Sequence, residues 1–169
     1  VVAIADPARA AADKLAAELG IGRVTADYRE ILRDPGIDAV LVCSSTNTHS
    51  SVVTEAAAAG KQIFCEKPLD LDLAKVDRTL EAVARTRVKL MMGFNRRFDP
   101  DFAHIRAEVA RGAVGTPHLL RITSRDPGPP PIAYIKVSGG LFMDMAIHDF
   151  DMARFVMARE VEEVSAITG

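Results

Sequence analysis

Short apolar segments alternate with helix-like segments through the first 93 residues, and no other feature constrains the fold as strongly. These segments lack the polar–apolar alternation of strands that face water on one side, so they are predicted to be buried on both faces. Strands of this kind, linked by helices, form a parallel sheet that helices cover on both sides. The strands are predicted at residues 1–5, 39–43, 62–65 and 89–93.

Helix start and stop signals lie between these strands. The Ala-rich residues 8–19 end at Gly20, a residue favoured just past the end of a helix. A capping-box-like start at Asp27 precedes a short helix that ends at Pro35. Two further helices are predicted, one over residues 50–59 and one from a cap at Asp72.

Polar residues follow the carboxyl ends of the predicted strands, where ligands bind in doubly wound α/β sheets. Because all of them fall at the edge where such a sheet builds its site, the sequence predicts a binding site there. These residues are Asp6, residues 44–49, the pair Glu66 and Lys67, and residues 94–97, which are polar except for Phe94.

The pattern changes after Gly93, which predicts a first domain over residues 1–94 and a second over residues 95–169. Two strands in different surroundings do not form a stable sheet alone, so the second domain is predicted to be an incomplete α+β domain. Its predicted elements are a helix over residues 100–111, a strand over 118–124, a proline loop over 127–131, a helix over 141–157 and a strand over 161–168.

Composition limits the possible partners and the compartment. A net charge of −2 over 169 residues gives no reason to expect nucleic acid or an anionic membrane surface as a partner. No apolar stretch reaches the roughly 18–20 residues that span a bilayer, and no signal peptide opens the chain, so a cytoplasmic location is expected.

Cys43 and Cys65 lie in apolar runs and are predicted to be buried free thiols. The start at Val1, without Met, suggests that sequence is missing upstream.

Asp6 and the run Thr46, Asn47, Thr48 and His49 are candidates for cofactor binding. An acidic residue at a strand end accepts hydrogen bonds from adenosine ribose hydroxyls, and its charge disfavours a 2′-phosphate, which favours NAD over NADP. The hydroxyl and amide groups of the run suit the ribose and nicotinamide side of such a cofactor. The alternatives are ordinary turn and helix-cap roles. No G-x-G-x-x-G motif is present in the sequence.

Lys67 lies between Glu66 and Pro68 at the end of a predicted strand. A partly buried ammonium group stabilises a developing alkoxide and lowers the pKa of a neighbouring acid. Glu66 would orient this lysine or face the cofactor. The alternative is a solvated Lys–Glu pair in a loop.

Asp144 and His148 are four residues apart on a predicted helix and share one face, with Asp151 close to it. Burying such groups among apolar neighbours is costly unless they are paired or line a site. Histidine accepts protons near neutral pH, which makes His148 a candidate base. A structural His–Asp pair and a metal site are the alternatives. No second ligand cluster is visible, so no metal is predicted.

The motifs occur in one order: a strand-end Asp, Thr-Asn-Thr-His, Glu-Lys-Pro, Gly-Phe-Asn-Arg-Arg-Phe-Asp-Pro and Asp-x-x-x-His-Asp-x-Asp. In this order they resemble the glucose–fructose oxidoreductase, inositol dehydrogenase and rhizopine catabolism (Gfo/Idh/MocA) family. The run over residues 124–140, followed by Asp144 and His148, is most similar to the bacterial inositol 2-dehydrogenases of that family.

The resemblance implies a Rossmann domain, a second domain with a large, mainly antiparallel sheet, and oxidation of a ring hydroxyl of myo-inositol to the 2-ketone (2-inosose) with NAD. His148 would then be the base, and Lys67 would hydrogen-bond the reacting oxygen. Asp144 would pair with Lys67 and tune it. Asp126 and Asp151 would bind substrate hydroxyls, and Arg96 would lie at the boundary between cofactor and substrate.

Two departures from the family leave other interpretations open. The first strand with its Gly-rich turn and most of the second sheet are absent, so the chain as written is expected to bind the pyrophosphate poorly. One alternative is a dehydrogenase of another polyol, sugar or amino sugar, and another is a non-catalytic remnant. The family also implies a homo-oligomer, a tetramer in the complete protein.

Overall fold

Strands and helices alternate along the first of the two units, Val1–Gly93 and Phe94–Gly169, into which the chain separates. The computed structural model describes residues 1–167. The strands are β1 (Ile4–Ala5), β2 (Val24–Thr25), β3 (Ala39–Val42), β4 (Gln62–Cys65) and β5 (Leu90–Met92). The helices of this unit are α1 (Arg9–Leu19), α2 (Tyr28–Leu32), α3 (Thr46–Ala58) and α4 (Leu73–Thr86).

The strands of the first unit pair in parallel, which confirms the predicted Rossmann-like α/β fold. β1 pairs with β2, and a second sheet has the order β3-β4-β5. Val42 is in register with Cys65, and Cys65 with Met92, so β3, β4 and β5 end together. The short strand β2 was not predicted.

The core of the first unit lies on one face of the three-stranded sheet, beneath α3 and α4. Val53 and Cys65 are completely buried there, and full burial of one valine contributes about 1.5–3 kcal/mol. Side chains alternate between the two faces of a strand, and on the opposite face Leu41 remains 67% exposed. The prediction that both faces are covered is therefore wrong for β3–β5 within residues 1–167.

Local signals set most helix ends of this unit. Gly20 adopts the left-handed conformation after α1, with φ of 68°. The carboxylates of Asp27 and Asp72 accept from the second backbone N–H of α2 and α4, at 3.0 and 2.9 Å. α3 begins at Thr46 rather than at the predicted residue 50, because Ser45 O accepts from both the backbone and the hydroxyl of Thr48.

The two cysteines differ in their surroundings. β3 ends at Val42, so Cys43 lies past the strand and is exposed, and the prediction that both thiols are buried is wrong for Cys43. Cys65 lies in β4 within the core, and burial raises the pKa of its thiol to about 12.

Helices dominate the second unit. It contains a 3₁₀ turn (Asn95–Phe98), α5 (Pro100–Ala110), α6 (Ile132–Ile135), a π-helical turn (Phe142–Ala146) and α7 (Ile147–Met157). Asp99 caps α5 by accepting from Asp101 N at 2.9 Å, and α5 packs against α7. The predicted helix over residues 141–157 is thus divided into the π turn and α7.

The two strands predicted in the second unit are not found among the described residues. Residues 118–124 and 161–167 have no regular structure, and Thr168 lies outside the described part of the chain. A strand needs a neighbouring strand to pair with its backbone N–H and C=O groups. Little packs against these two segments, since Leu119 and Val164 are each 84% exposed.

No helix within residues 1–167 combines the length and the apolar character needed to cross a membrane.

Candidate cofactor and catalytic residues

The carboxyl ends of β3, β4 and β5 form one edge of the sheet, as predicted. Glu66 N donates to Val42 O at 2.9 Å, and Gly93 N donates to Cys65 O at 2.7 Å. These bonds extend the pairing one residue past each strand and bring Glu66 beside the end of β5. Lys67 follows directly and is half-buried.

Glu66 lies against the backbone of Gly93. A Cβ atom at position 93 would approach Glu66 Oε2 to 2.9 Å, which is closer than ordinary contacts allow. The glycine therefore gives the Glu66 carboxylate room at this edge. Sequence reasoning did not assign this role to Gly93, although a glycine directly after a buried strand is a signal of close approach.

His49, predicted to contact a cofactor, is instead almost completely buried, with 1% exposure. Its Nδ1 lies 2.8 Å from Pro68 O, and its Nε2 lies 2.8 Å from Ser44 O. Both ring nitrogens thus face backbone carbonyls of the first unit. The predicted contact of His49 with the cofactor has no support in this geometry.

Asp6, Thr46 and Asn47 keep positions that fit part of a dinucleotide. Asp6 Oδ1 accepts from Ala8 N at 2.7 Å, which is the turn role that the sequence left open, and this bond engages one of its two carboxylate oxygens. Thr46 is half-buried and Asn47 is exposed in the first turn of α3. Polar side chains after β1 and at the start of α3 suit ribose hydroxyls and an amide group. The residues present therefore fit the adenosine and nicotinamide sides of NAD.

Asp144 and His148 lie on either side of the junction between the π turn and α7. The π turn contains Asp144, and π turns of this kind are frequent at functional sites. Tyr134 donates its hydroxyl hydrogen to Asp144 Oδ1 at 2.7 Å, and this bond is the main cause that raises the pKa of Tyr134. The Phe94 ring and the half-buried His148 ring are nearly perpendicular, with 6.5 Å between their centroids. Sequence reasoning did not identify Tyr134 as a partner.

Two arginine–aspartate pairs fix the start of α7 within the second unit. Both oxygens of Asp151, which is 6% exposed, accept from Arg97 at 2.6–3.1 Å. This pair raises the pKa of Arg97, chiefly through the hydrogen bond. Arg96 donates to Asp149 Oδ1 at 2.6 Å. A buried carboxylate needs such a partner, and here the pairing engages both oxygens of the predicted substrate ligand Asp151.

Asp126 is exposed in the irregular segment before the proline loop. Among residues 1–167, no group of three or more His, Cys, Asp or Glu side chains is arranged to hold a metal ion. Lys67 belongs to the first unit, whereas Asp144 and His148 belong to the second.

Comparisons with known proteins cover nearly the whole chain. Residues 1–94 match a family model described as an oxidoreductase family with an NAD-binding Rossmann fold. Residues 102–169 match the model of the GFO/IDH/MocA C-terminal domain.

The chain is similar to the myo-inositol 2-dehydrogenase of Thermotoga maritima, with 58% identity over 88% of this chain and 45% of that protein. A solved structure of a probable dehydrogenase from the same organism superposes with a TM-score of 0.93 at 53% identity, over 96% of this chain and 49% of the other. The scyllo-inositol dehydrogenase of Lactobacillus casei, solved with NAD(H) and scyllo-inositol, superposes with a TM-score of 0.85 at 32% identity, over 95% of this chain and 49% of the other. The chain spans about half the length of the curated relatives it matches.

Proposed function

The chain belongs to the Gfo/Idh/MocA oxidoreductase family, and on this premise we propose that the complete protein is an NAD-dependent dehydrogenase that oxidises a ring hydroxyl of myo-inositol to the 2-ketone. The observation that carries the proposal is the presence of Lys67 after β4 together with Asp144 and His148 at the junction of the π turn and α7. The high identity to a myo-inositol 2-dehydrogenase supports the choice of substrate.

The chain offers groups for each part of NAD that it would contact. Asp6 accepts from the adenosine ribose hydroxyls, and Thr46 and Asn47 bind on the nicotinamide side. Glu66, held against Gly93, borders the same edge of the sheet. Arg96 remains a proposed residue of the boundary between cofactor and substrate. NAD, when bound, supplies the acceptor for the hydride.

Side chains of this protein transfer the substrate proton and stabilise the negative charge that develops on the reacting oxygen. In the proposal, His148 accepts the proton of the substrate hydroxyl through a ring nitrogen, as expected of a general base. Lys67 donates a hydrogen bond to the reacting oxygen and stabilises its developing negative charge. Asp144 supplies the negative charge that favours the ammonium form of the lysine, and Tyr134 orients that carboxylate by its hydrogen bond. Asp126 remains the proposed ligand of a substrate hydroxyl.

A polyol panel tests the proposal. The complete protein is incubated with NAD and with myo-inositol, scyllo-inositol or an aldose, and NADH absorbance is recorded. Fastest turnover of myo-inositol supports the proposal. Turnover of an aldose alone would show that the family member acts on a sugar.

Scyllo-inositol is the second candidate substrate, because a structural relative carries it together with NAD(H). A preference for scyllo-inositol in the same panel would favour it. No turnover of any compound, with NAD binding also absent, would favour the non-catalytic alternative. The homo-oligomer that the family implies is part of the proposal, and light scattering of the complete protein tests it.

A further inference from the structure

The segment that carries Lys67 is attached to the rest of the first unit on both sides of the lysine. Before it, Glu66 N donates to Val42 O at 2.9 Å. After it, Pro68 O lies 2.8 Å from His49 Nδ1. The backbone of Lys67 is therefore enclosed between two peptide groups that have fixed partners, and the origin of its side chain is fixed with them.

The His49 ring connects this segment to the end of β3. Its second nitrogen, Nε2, lies 2.8 Å from Ser44 O, two residues past the last residue of the strand. A carbonyl oxygen only accepts, so each contact needs a proton on the ring nitrogen that faces it. The neutral ring carries one such proton and the imidazolium carries two. Complete burial of the ring keeps water from replacing either partner.

The next residue of α3 attaches the same segment a second time. Ser50 Oγ donates to Asp70 Oδ2 at 2.5 Å, and both side chains are buried. Asp70 Oδ1 in turn accepts from Asp72 N at 3.0 Å. The N-terminal part of α3 thus holds the segment at Pro68 and at Asp70.

We infer that His49 is a positioning residue for Lys67, and that the contact with Pro68 O carries this role. The inference rests on the proposed function, since it gives Lys67 the task of stabilising the reacting oxygen. For His49, this inference replaces the interpretation that every residue of the Thr-Asn-Thr-His run lines the cofactor. Thr46 and Asn47 remain available to a ligand, whereas His49 acts from within the protein on the lysine.

Two substitutions separate the two contacts of the ring. An asparagine amide places its nitrogen near the position of Nδ1, and a glutamine amide places its nitrogen near that of Nε2. His49→Asn therefore keeps a donor toward Pro68 O, and His49→Gln keeps one toward Ser44 O. Each variant gives up one of the two contacts of the ring, so both are expected to lower the urea midpoint of the complete protein.

The kinetics of the complete protein are expected to differ between the variants. His49→Gln should lower kcat by about 10–100-fold, the effect of displacing a catalytic group by about 1 Å, with an unchanged KM for NAD. His49→Asn should retain most of the wild-type kcat. Equal losses of kcat in the two variants would show a purely structural role. A raised KM for NAD with unchanged kcat would restore the cofactor-lining interpretation, and either result overturns the inference.

Lys61 provides a matched control. Its buried ammonium group donates to Asp34 O and Ile37 O, each at 2.6 Å, and so joins two carbonyls at the opposite edge of the same sheet. Lys61→Met should lower the urea midpoint without lowering kcat. Should His49→Gln fail to fold, His49→Asn, which keeps the donor toward Pro68 O, is compared with the wild type. A loss of kcat of about tenfold or more in that variant overturns the inference.

Chemical labelling separates this inference from the proposed function. If the wild-type protein oxidises no polyol, the proposed function fails, and the position of Lys67 is then measured by reductive methylation and mass spectrometry. In His49→Gln, the labelling rate of Lys67 should rise toward that of the exposed Lys14, while His49→Asn stays near wild type. Equal Lys67 rates in all three proteins overturn the inference.

Discussion

Buried apolar side chains hold the first unit together, whereas arginine–aspartate pairs fix the start of α7 in the second. Val53 and Cys65 are completely buried in the first unit. In the second, Asp151 and Asp149 accept from Arg97 and Arg96. An apolar core depends on filled volume, while an ion pair depends on geometry, solvent exposure and salt. Substitutions in the apolar core of the first unit and in these ion pairs of the second should therefore differ in their salt dependence.

The same contrast applies to the candidate catalytic residues. Lys67 lies on a segment attached by buried hydrogen bonds to the core of the first unit. Asp144 and His148 lie where a π turn passes into α7, and Asp144 has the half-exposed Tyr134 as a partner. Lys67 and His148 are both half-buried, so the two units differ in how these side chains are attached rather than in how exposed they are.

Removing the proposed base should give the largest effect. In the complete protein, His148→Ala should lower kcat by about 10²–10⁴-fold, the usual loss of a general acid–base group. The urea midpoint is measured alongside to show that the variant remains folded, because His148 is half-buried and its ring meets that of Phe94. His104→Ala is the control, since His104 is exposed on α5 of the same unit. A near-normal kcat for His148→Ala would show that His148 is structural and that this residue of the second unit is not the base.

The next effect concerns the apolar core. Val53→Ala should lower the free energy of unfolding by about 2–3 kcal/mol, from lost burial of two methyl groups and the cavity left behind. The loss should be the same at low and high salt, because no charge is involved. Val2→Ala is the matched control, as Val2 is 68% exposed. Urea denaturation measures both, and a loss for Val53→Ala that shrinks with salt would contradict the assignment of the core.

Breaking the Arg97–Asp151 pair should have a somewhat smaller and salt-dependent effect. Arg97→Met leaves the Asp151 carboxylate buried without its partner and should cost about 1–3 kcal/mol. The arginine side chain is 40% exposed, so the loss stays below that of a fully buried pair. It should decrease at high salt in urea denaturation. Arg111→Met, which removes an exposed pair with Glu108, is the control and should change stability little.

Local signals explain which parts of the fold were predictable from the sequence. Gly20, Asp27 and Asp72 mark helix ends within a few residues, and the structure confirms all three. β2 has only two residues and exists through its pairing with β1, so no pattern of its own predicts it. The strand predicted over residues 118–124 is absent, because a strand depends on a neighbour that periodicity does not supply.

The candidate site was predictable in its residue types but not in its contacts. The order of the motifs identified the family, and the matches confirm it. The contact of His49 with Pro68 joins residues 19 apart, and that of Arg97 with Asp151 joins residues 54 apart. Contacts between residues so far apart produce no helical or strand periodicity in the sequence. The predictions that His49 contacts the cofactor and that Asp151 binds the substrate rest instead on residue types and on the family resemblance.

The smallest expected effect is a pH dependence that arises where α3 holds the Lys67 segment. Burial raises the pKa of Asp70, but hydrogen bonds from Ser50 Oγ and from the backbone of Asp72 and Leu71, together with the charge of Lys75, outweigh it and hold the pKa below the usual 3.8. The native state therefore releases this proton more readily than the unfolded chain does. Asp70 stabilises the fold above the unfolded pKa, and this contribution is lost as pH falls through the lowered native pKa.

Asp70→Asn should reduce that acid-induced loss. Asparagine has a single acceptor oxygen, so it accepts from Ser50 Oγ or from Asp72 N but not from both, and the variant removes the titrating group while losing one of the two hydrogen bonds. Urea denaturation at about pH 7 and about pH 3 should show a smaller decrease in unfolding free energy for the variant than for wild type. An equal decrease would mean that Asp70 does not contribute to acid sensitivity. The attachment of the Lys67 segment to α3 would then not depend on the charge of Asp70, unlike the ion-paired start of α7.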